Sequence, residues 1–221
     1  ALAQQLAQSQ PLQPSGKEFS TSYDVVYDVG EDGMTNVTQK ISLKNLTSNF
    51  FASKYTLSVG STTLTDISGS DQGGLLKINV NEPSPSLNKT QIEVVFNQQI
   101  AGEGKTQVFT LKYKSKDFTQ KIGKTWEVDL PRIPSNTIDN YNLVLAVPVS
   151  FGDPTSISPN PKNQSSNFEK LFLTYDKEQL QKSGVSANFG TTQVFEFNLS
   201  YNLQNKSLFP ILTSITLPSG N

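Results

Sequence analysis

Cysteine and histidine are both missing from this chain. Without cysteine there is no disulfide framework, no thiolate metal site and no thiol nucleophile. Without histidine the chain loses the side chain most often used as a general base near neutral pH, the Ser-His-Asp and Cys-His mechanisms, and imidazole ligation of transition metals. An enzyme made from these residues would have to rest on carboxylates, lysine or tyrosine, and neither a metal nor another cofactor is expected. Charge is scarce as well. Eighteen basic and 19 acidic residues give a net charge of −1, and charged residues make up 17% of the chain, below the usual quarter or so. No basic footprint for nucleic acid or an anionic membrane is visible. No apolar run approaches the roughly 20 residues that span a bilayer, so no membrane insertion is expected within this chain.

Serine, threonine, asparagine and glutamine solvate the surface instead. Tryptophan and arginine each occur once, and both fall in the stretch 123–134, Gly-Lys-Thr-Trp-Glu-Val-Asp-Leu-Pro-Arg-Ile-Pro. There Trp126, Val128 and Leu130 alternate with Thr125, Glu127 and Asp129, the period of a half-buried strand. Pro131 and Pro134 end it. At 221 residues there is room for two β units, and this stretch reads as the seam between them. Trp126 is expected to be a core anchor, Pro131 and Pro134 to stiffen the crossing, and Arg132 to tie the units through a carboxylate or carbonyl.

Period-two alternation recurs along the rest of the chain. Phe19 to Val29 and Val37 to Leu43 read as strands joined by the turn Gly30-Glu31-Asp32-Gly33, which lacks the spacing of a calcium loop. Tyr55 to Val59, Thr63 to Ile67, Leu75 to Val80, Gln91 to Phe96 and Gln107 to Tyr113 follow at short intervals, the rhythm of a sandwich rather than of βαβ units. Ala101-Gly102-Glu103-Gly104-Lys105 is a glycine turn without the length of a phosphate loop. Lys112, Lys114 and Lys116 form a basic stripe that suits a solvated or edge-protecting face. Beyond the seam, Tyr141 to Phe151 is the most apolar run, which argues for burial on both faces, and Pro148 marks an edge or an end. Phe168 to Tyr175 resumes a strand. Asp176 to Gly184 reads as the single short helix outside the leader, with Asp176 as N-cap and Gly184 as stop. Gln193 to Leu203 is a long alternating strand whose rings should dominate the second core. Six N-x-[ST] sequons occur where composition alone would give roughly four, so glycosylation is not inferred from them.

The fold class that follows is all-β: two successive antiparallel β-sandwich-like units with one short helix. The expected division is a mobile leader 1–16, a first unit 17–122, the seam 123–134, a second unit 135–205 and an exit segment 206–221. The opening Ala1-Leu2-Ala3 has the small-x-small form found before a signal-peptidase cut.

Several landmarks carry a family resemblance. They are Tyr23-x-Val25-x-Tyr27, Val37 to Asn45, Val95-Phe96-Asn97 before Gly102-x-Gly104-Lys105, Phe109 to Tyr113, Trp126-Glu127-Val128, Val147-Pro148-x-x-Phe151-Gly152, Phe189-Gly190-x-x-Gln193 and Leu199-x-Tyr201-x-Leu203. Together they resemble the non-catalytic N-terminal β region of secreted or membrane-tethered bacterial proteins that carry a transglutaminase-like domain further along. The two β units also look like the N-terminal β domains of M1-type aminopeptidases and of ribophorin-like proteins, a similarity of architecture. The resemblance implies an extracytoplasmic, non-enzymatic module. Its partner would be the downstream domain of the same polypeptide, or another envelope protein or a glycan. Catalysis in that family would belong to a Cys-His-Asp set, and no such residue can be carried onto this chain. Two other functions compete with this one. Trp126, Tyr113, Tyr141 and Tyr201 could present rings to a sugar, although rings at alternating strand positions usually form core. Glu127 with Asp129 or Glu196 could form a carboxylate pair, since residues two apart on a strand share a face.

Overall fold

The computed structural model describes residues 17–81, 89–133 and 138–191, with six single positions between 200 and 214. Within them the protein is an all-β sandwich with one short helix. The strands are β1 (Phe19–Val29), β2 (Thr35–Asn45), β3 (Lys54–Val59), β4 (Thr65–Asp71), β5 (Gly74–Leu75), β6 (Lys77–Val80), β7 (Thr90–Val95), β8 (Thr106–Ser115), β9 (Thr119–Ile122) and β10 (Thr125–Leu130). Then come β11 (Asn140–Pro148), β12 (Pro154–Ser158), β13 (Asn163–Ser166), β14 (Lys170–Asp176), helix α1 (Lys177–Lys182) and β15 (Val185–Gly190).

One layer is an eight-stranded sheet in the order β13-β14-β11-β1-β2-β8-β4-β5. Its inner face follows from strict alternation: Tyr23, Val25, Tyr27 and Val29 are buried on β1, while Asp24 and Val26 between them are exposed. Ile41 and Leu43, Phe109 and Leu111, and Leu143 and Leu145 continue that face on the neighbouring strands. The second layer consists of two smaller sheets, β3-β7-β6 and β12-β15-β10-β9. Rings lock the layers together. Tyr55 and Phe96, from the three-stranded side, meet Phe109 edge-on at centroid distances of 5.6 and 5.1 Å, and Phe118, just before β9, meets Tyr27 at 5.2 Å. A sheet with one apolar face has to cover it, and here two smaller sheets share that task.

After Ser115 the chain moves back and forth between the layers: β9 and β10 in the four-stranded sheet, β11 in the large one, β12 back, β13 and β14 in the large one, and β15 back. Strands from both of the stretches expected as separate units, 17–122 and 135–205, therefore lie in one sheet. β1 and β11 run parallel there, in register from Ser22↔Asn140 to Asp28↔Ala146. A parallel neighbour on β1 requires a long connection, and β8, β9 and β10 lie within it. The expected leader 1–16 and the strand 193–203, apart from Ser200, lie outside the described residues.

Helix α1 begins as the sequence indicates. Asp176 caps it, accepting from the Gln179 N–H, while the Gln179 side chain accepts from the Asp176 N–H. It ends differently. Ser183, extended, is the C-cap, and Gly184 is needed for another reason: a Cβ there would stand 2.0 Å from the Leu130 carbonyl oxygen. Tyr141 to Phe151 divides in two, with β11 ending at Pro148 and a 3-10 turn over Val149–Phe151. Because β11 lies between β14 and β1, Pro148 ends an inner strand rather than marking an edge.

Candidate functional site

The stretch 123–134 forms β10, hydrogen-bonded to β9 on one side and to β15 on the other. Trp126 is half-buried at the rim of the core. Its ring lies parallel to Phe151, 4.0 Å away with 1° between planes, and Lys121 Nζ stands 5.2 Å from the ring centroid. The edge of the indole covers Gly33 in the β1–β2 turn, where an added Cβ would come within 2.9 Å of Cζ3. Trp126 thus holds three things together: its own sheet, the β1–β2 turn and the turn after β11. Pro131 packs on Gly60, its Cγ 3.0 Å from where a Cβ would be, and joins the end of β10 to the segment after β3. Arg132 is exposed and belongs to none of the ion pairs among the described residues. Pro134 lies outside the described residues, as do Glu196 and Tyr201. Glu127 accepts a hydrogen bond from Gln120 Nε2 at 2.8 Å, and Asp129 is exposed beside it. Among the described residues no group of three or more acidic side chains could hold a metal ion.

What gathers chemistry in one place is a cavity of about 430 Å³ against the inner face of the large sheet. Its floor is Tyr23, Tyr27, Gln39, Tyr113 and Tyr141, from β1, β2, β8 and β11. Tyr55 and its successors on β3 form one wall, and Pro131, Arg132 and Ile133 another. Five of the chain's seven tyrosines line this one space. Each floor tyrosine occupies an inward position of its strand, where the pattern requires an apolar body, and each also brings a hydroxyl that must find a partner.

Those hydroxyls are linked. Tyr23 and Tyr55 share a hydrogen bond of 2.5 Å, and Gln39 Nε2 donates to the Tyr113 hydroxyl at 2.8 Å. The rings of Tyr23 and Tyr141 stack at 5.3 Å. Burial pushes the Tyr27 phenol up to about 12, and burial first, with neighbouring phenols adding to it, raises Tyr23, Tyr113 and Tyr141 well above the ordinary tyrosine range. Tyr55 is raised by burial too, against an opposing hydrogen bond from Tyr23. All five stay neutral at physiological pH. Among the described residues no acidic one lines the cavity, while Lys89 and Arg132, both exposed, line it where it meets solvent.

No protein-family profile matches the sequence, and no curated protein matches it. Solved structures do. The M1 zinc metallopeptidase from Deinococcus radiodurans aligns with a TM-score of 0.50 and 13% identity, over 78% of this chain and 42% of that chain. The neighbours include the N-terminal β domain of M1 aminopeptidases. Yeast LTA4 hydrolase in complex with bestatin aligns at a TM-score of 0.48 and 10% identity, over 85% of this chain and 33% of that one. At such identities what is shared is the fold. The match covers 42% of the length of the Deinococcus enzyme.

The tyrosine cavity had a signal in the sequence. Tyr23, Tyr27, Tyr113 and Tyr141 all fall on inward positions, and Gln39 interrupts the apolar face between Val37 and Ile41. What the sequence could not supply was the pairing that brings β1, β2, β8 and β11 side by side.

Proposed function

We propose that this chain is a non-enzymatic, extracytoplasmic β module, the N-terminal scaffold of a larger cell-envelope protein whose transglutaminase-like domain it positions. One observation carries the reading: the fold aligns over 78% of this chain but over only 42% of a peptidase, which is the behaviour of one component of a larger enzyme. The sequence supports it, because a chain without cysteine or histidine has no nucleophile–imidazole pair and no imidazole to hold a catalytic zinc. The described residues form one large and two smaller sheets of paired strands, which suits a part that orients another.

The test is the coding sequence on either side of these residues, together with assays of the purified chain. A secretory signal ahead and a domain carrying Cys, His and Asp behind are expected. The chain alone should neither hydrolyse aminoacyl arylamides with zinc present nor incorporate amines into glutamine substrates. Turnover of either kind that survives purification, or a gene without a further domain, would overturn the proposal.

A further inference from the structure

The tyrosine cavity is larger than core packing tolerates, since interiors leave few voids larger than a water molecule. At about 430 Å³ it falls within the range of small-molecule sites. Its chemistry is one-sided. Aromatic faces and hydroxyls form the floor, and among the described residues the only formal charges lining it are the cations Lys89 and Arg132, with no carboxylate. Phenols that remain neutral can donate to an anion but do not repel it. Arg132 is the chain's single arginine, and it makes no ion pair with any described acidic residue. A guanidinium presents a planar fork suited to a carboxylate.

We propose that this cavity binds a small aromatic carboxylate, its ring lying against Tyr23, Tyr55 and Tyr141 and its carboxylate meeting Arg132 and Lys89. The floor comes from four adjacent strands of the large sheet, so the rings are held on rigid elements before a ligand arrives. Gln39 fixes the orientation of the Tyr113 phenol through its 2.8 Å bond, and Tyr23 and Tyr55 fix each other through theirs at 2.5 Å. None of this depends on the chain being an N-terminal module.

Phenylacetate, phenylacetamide and acetate separate the contributions of ring and charge. Backbone amide shifts are followed by NMR on the intact chain. Phenylacetate should move the resonances of Tyr23, Tyr55 and Arg132 and saturate, with a Kd on the order of 1 mM for so small a probe. Phenylacetamide, lacking the charge, and acetate, lacking the ring, should each bind at least roughly tenfold more weakly. Arg132→Gln should weaken phenylacetate by about tenfold or more with the melting temperature unchanged, because the residue is exposed. Thr56→Trp, at an exposed position of the lining, should block the opening and abolish the shifts. Equal binding of acid and amide overturns the proposal. So does binding unaffected by both Arg132→Gln and Thr56→Trp, or the absence of any shift with phenylacetate at about ten times that Kd.

Discussion

Removing the indole of Trp126 should cost about 3 kcal/mol, and the estimate can be assembled from its surroundings. Truncating a fully buried tryptophan to alanine costs roughly 3–5 kcal/mol. Trp126 is half-buried, so about half of that applies to area and packing. Its parallel stack on Phe151 at 4.0 Å adds about 1 kcal/mol, and Lys121 at 5.2 Å, being near solvent, adds about 0.5 kcal/mol. For a chain of this size the loss corresponds to a fall in melting temperature of about 6–12 °C. Circular dichroism during heating and chemical denaturation would both read it. The geometry makes a sharper prediction through Gly33, which has φ of +80° and would place a Cβ 2.9 Å from Trp126 Cζ3. Gly33→Ala alone carries both the left-handed backbone cost, about 1–2 kcal/mol, and the collision with the indole. In a Trp126→Ala background the collision vanishes and the backbone cost stays, so the two changes should couple by about 1 kcal/mol. A loss below about 1 kcal/mol for Trp126→Ala, or costs that add within about 0.3 kcal/mol, would refute the brace.

Gly184→Ala should lower stability by about 3 kcal/mol or more, because the new Cβ would lie 2.0 Å from the Leu130 carbonyl oxygen and would force β15 away from β10; a melting temperature within about 2 °C of the parent would refute this. Tyr175→Phe should be neutral or stabilising by up to about 1 kcal/mol, because its buried hydroxyl has no hydrogen-bond partner among the described residues and deleting it removes a desolvated group without orphaning another; denaturant midpoints decide it. Acid should destabilise the fold in a stated window. The Lys17 ammonium first, then Ser20 and the Thr21 N–H, hold the Asp139 carboxyl down at about 2, below its ordinary 3.8. A depressed carboxylate contributes stability that is complete above its unfolded pKa and is lost as pH falls through the folded one. Unfolding midpoints should therefore decline between about pH 5 and pH 2, and Asp139→Asn should flatten part of that decline.

The strands were legible wherever one face is wet. Phe19 to Val29 alternates without a break, and β1 has those bounds; the seam strand Thr125–Leu130 was equally plain. β12 and β13 were hidden because Pro154–Ser158 lies between the turn-like sequences Phe151-Gly152-Asp153-Pro154 and Ser158-Pro159-Asn160-Pro161, and Asn163–Ser166 carries four exposed polar residues. Such strands are specified by their partners rather than by burial, since β13 lies on β14 and β12 on β15. β9 has four residues, too few periods to recognise. Gly184 looked like a helix stop because glycine usually is one there, whereas close approach to Leu130 selects it. The parallel pairing of β1 with β11 joins residues 118 positions apart at Ser22↔Asn140, and nothing local announces such a contact.

The seam and the cavity are one construction. β10 enters its sheet under Trp126, which is held against Phe151 and Gly33, and leaves it through Pro131, which is held against Gly60. The next two residues, Arg132 and Ile133, wall the tyrosine cavity, and the Ile133 N–H donates to the Leu180 carbonyl of α1 at 3.2 Å. The backbone of Arg132 is thus held on both sides, by a proline packed on a glycine and by a backbone bond to a helix. Loosening the proline end should therefore weaken binding without touching the lining rings. Gly60→Ala places a Cβ 3.0 Å from Pro131 Cγ and should displace Arg132. If it lowers phenylacetate affinity to the level of Arg132→Gln while phenylacetamide binding is unchanged, position and not mere charge is what the seam supplies. If affinity is unchanged while the Pro131 contact is demonstrably lost, the cations act only through long-range attraction, and the affinity should then fall steeply with salt.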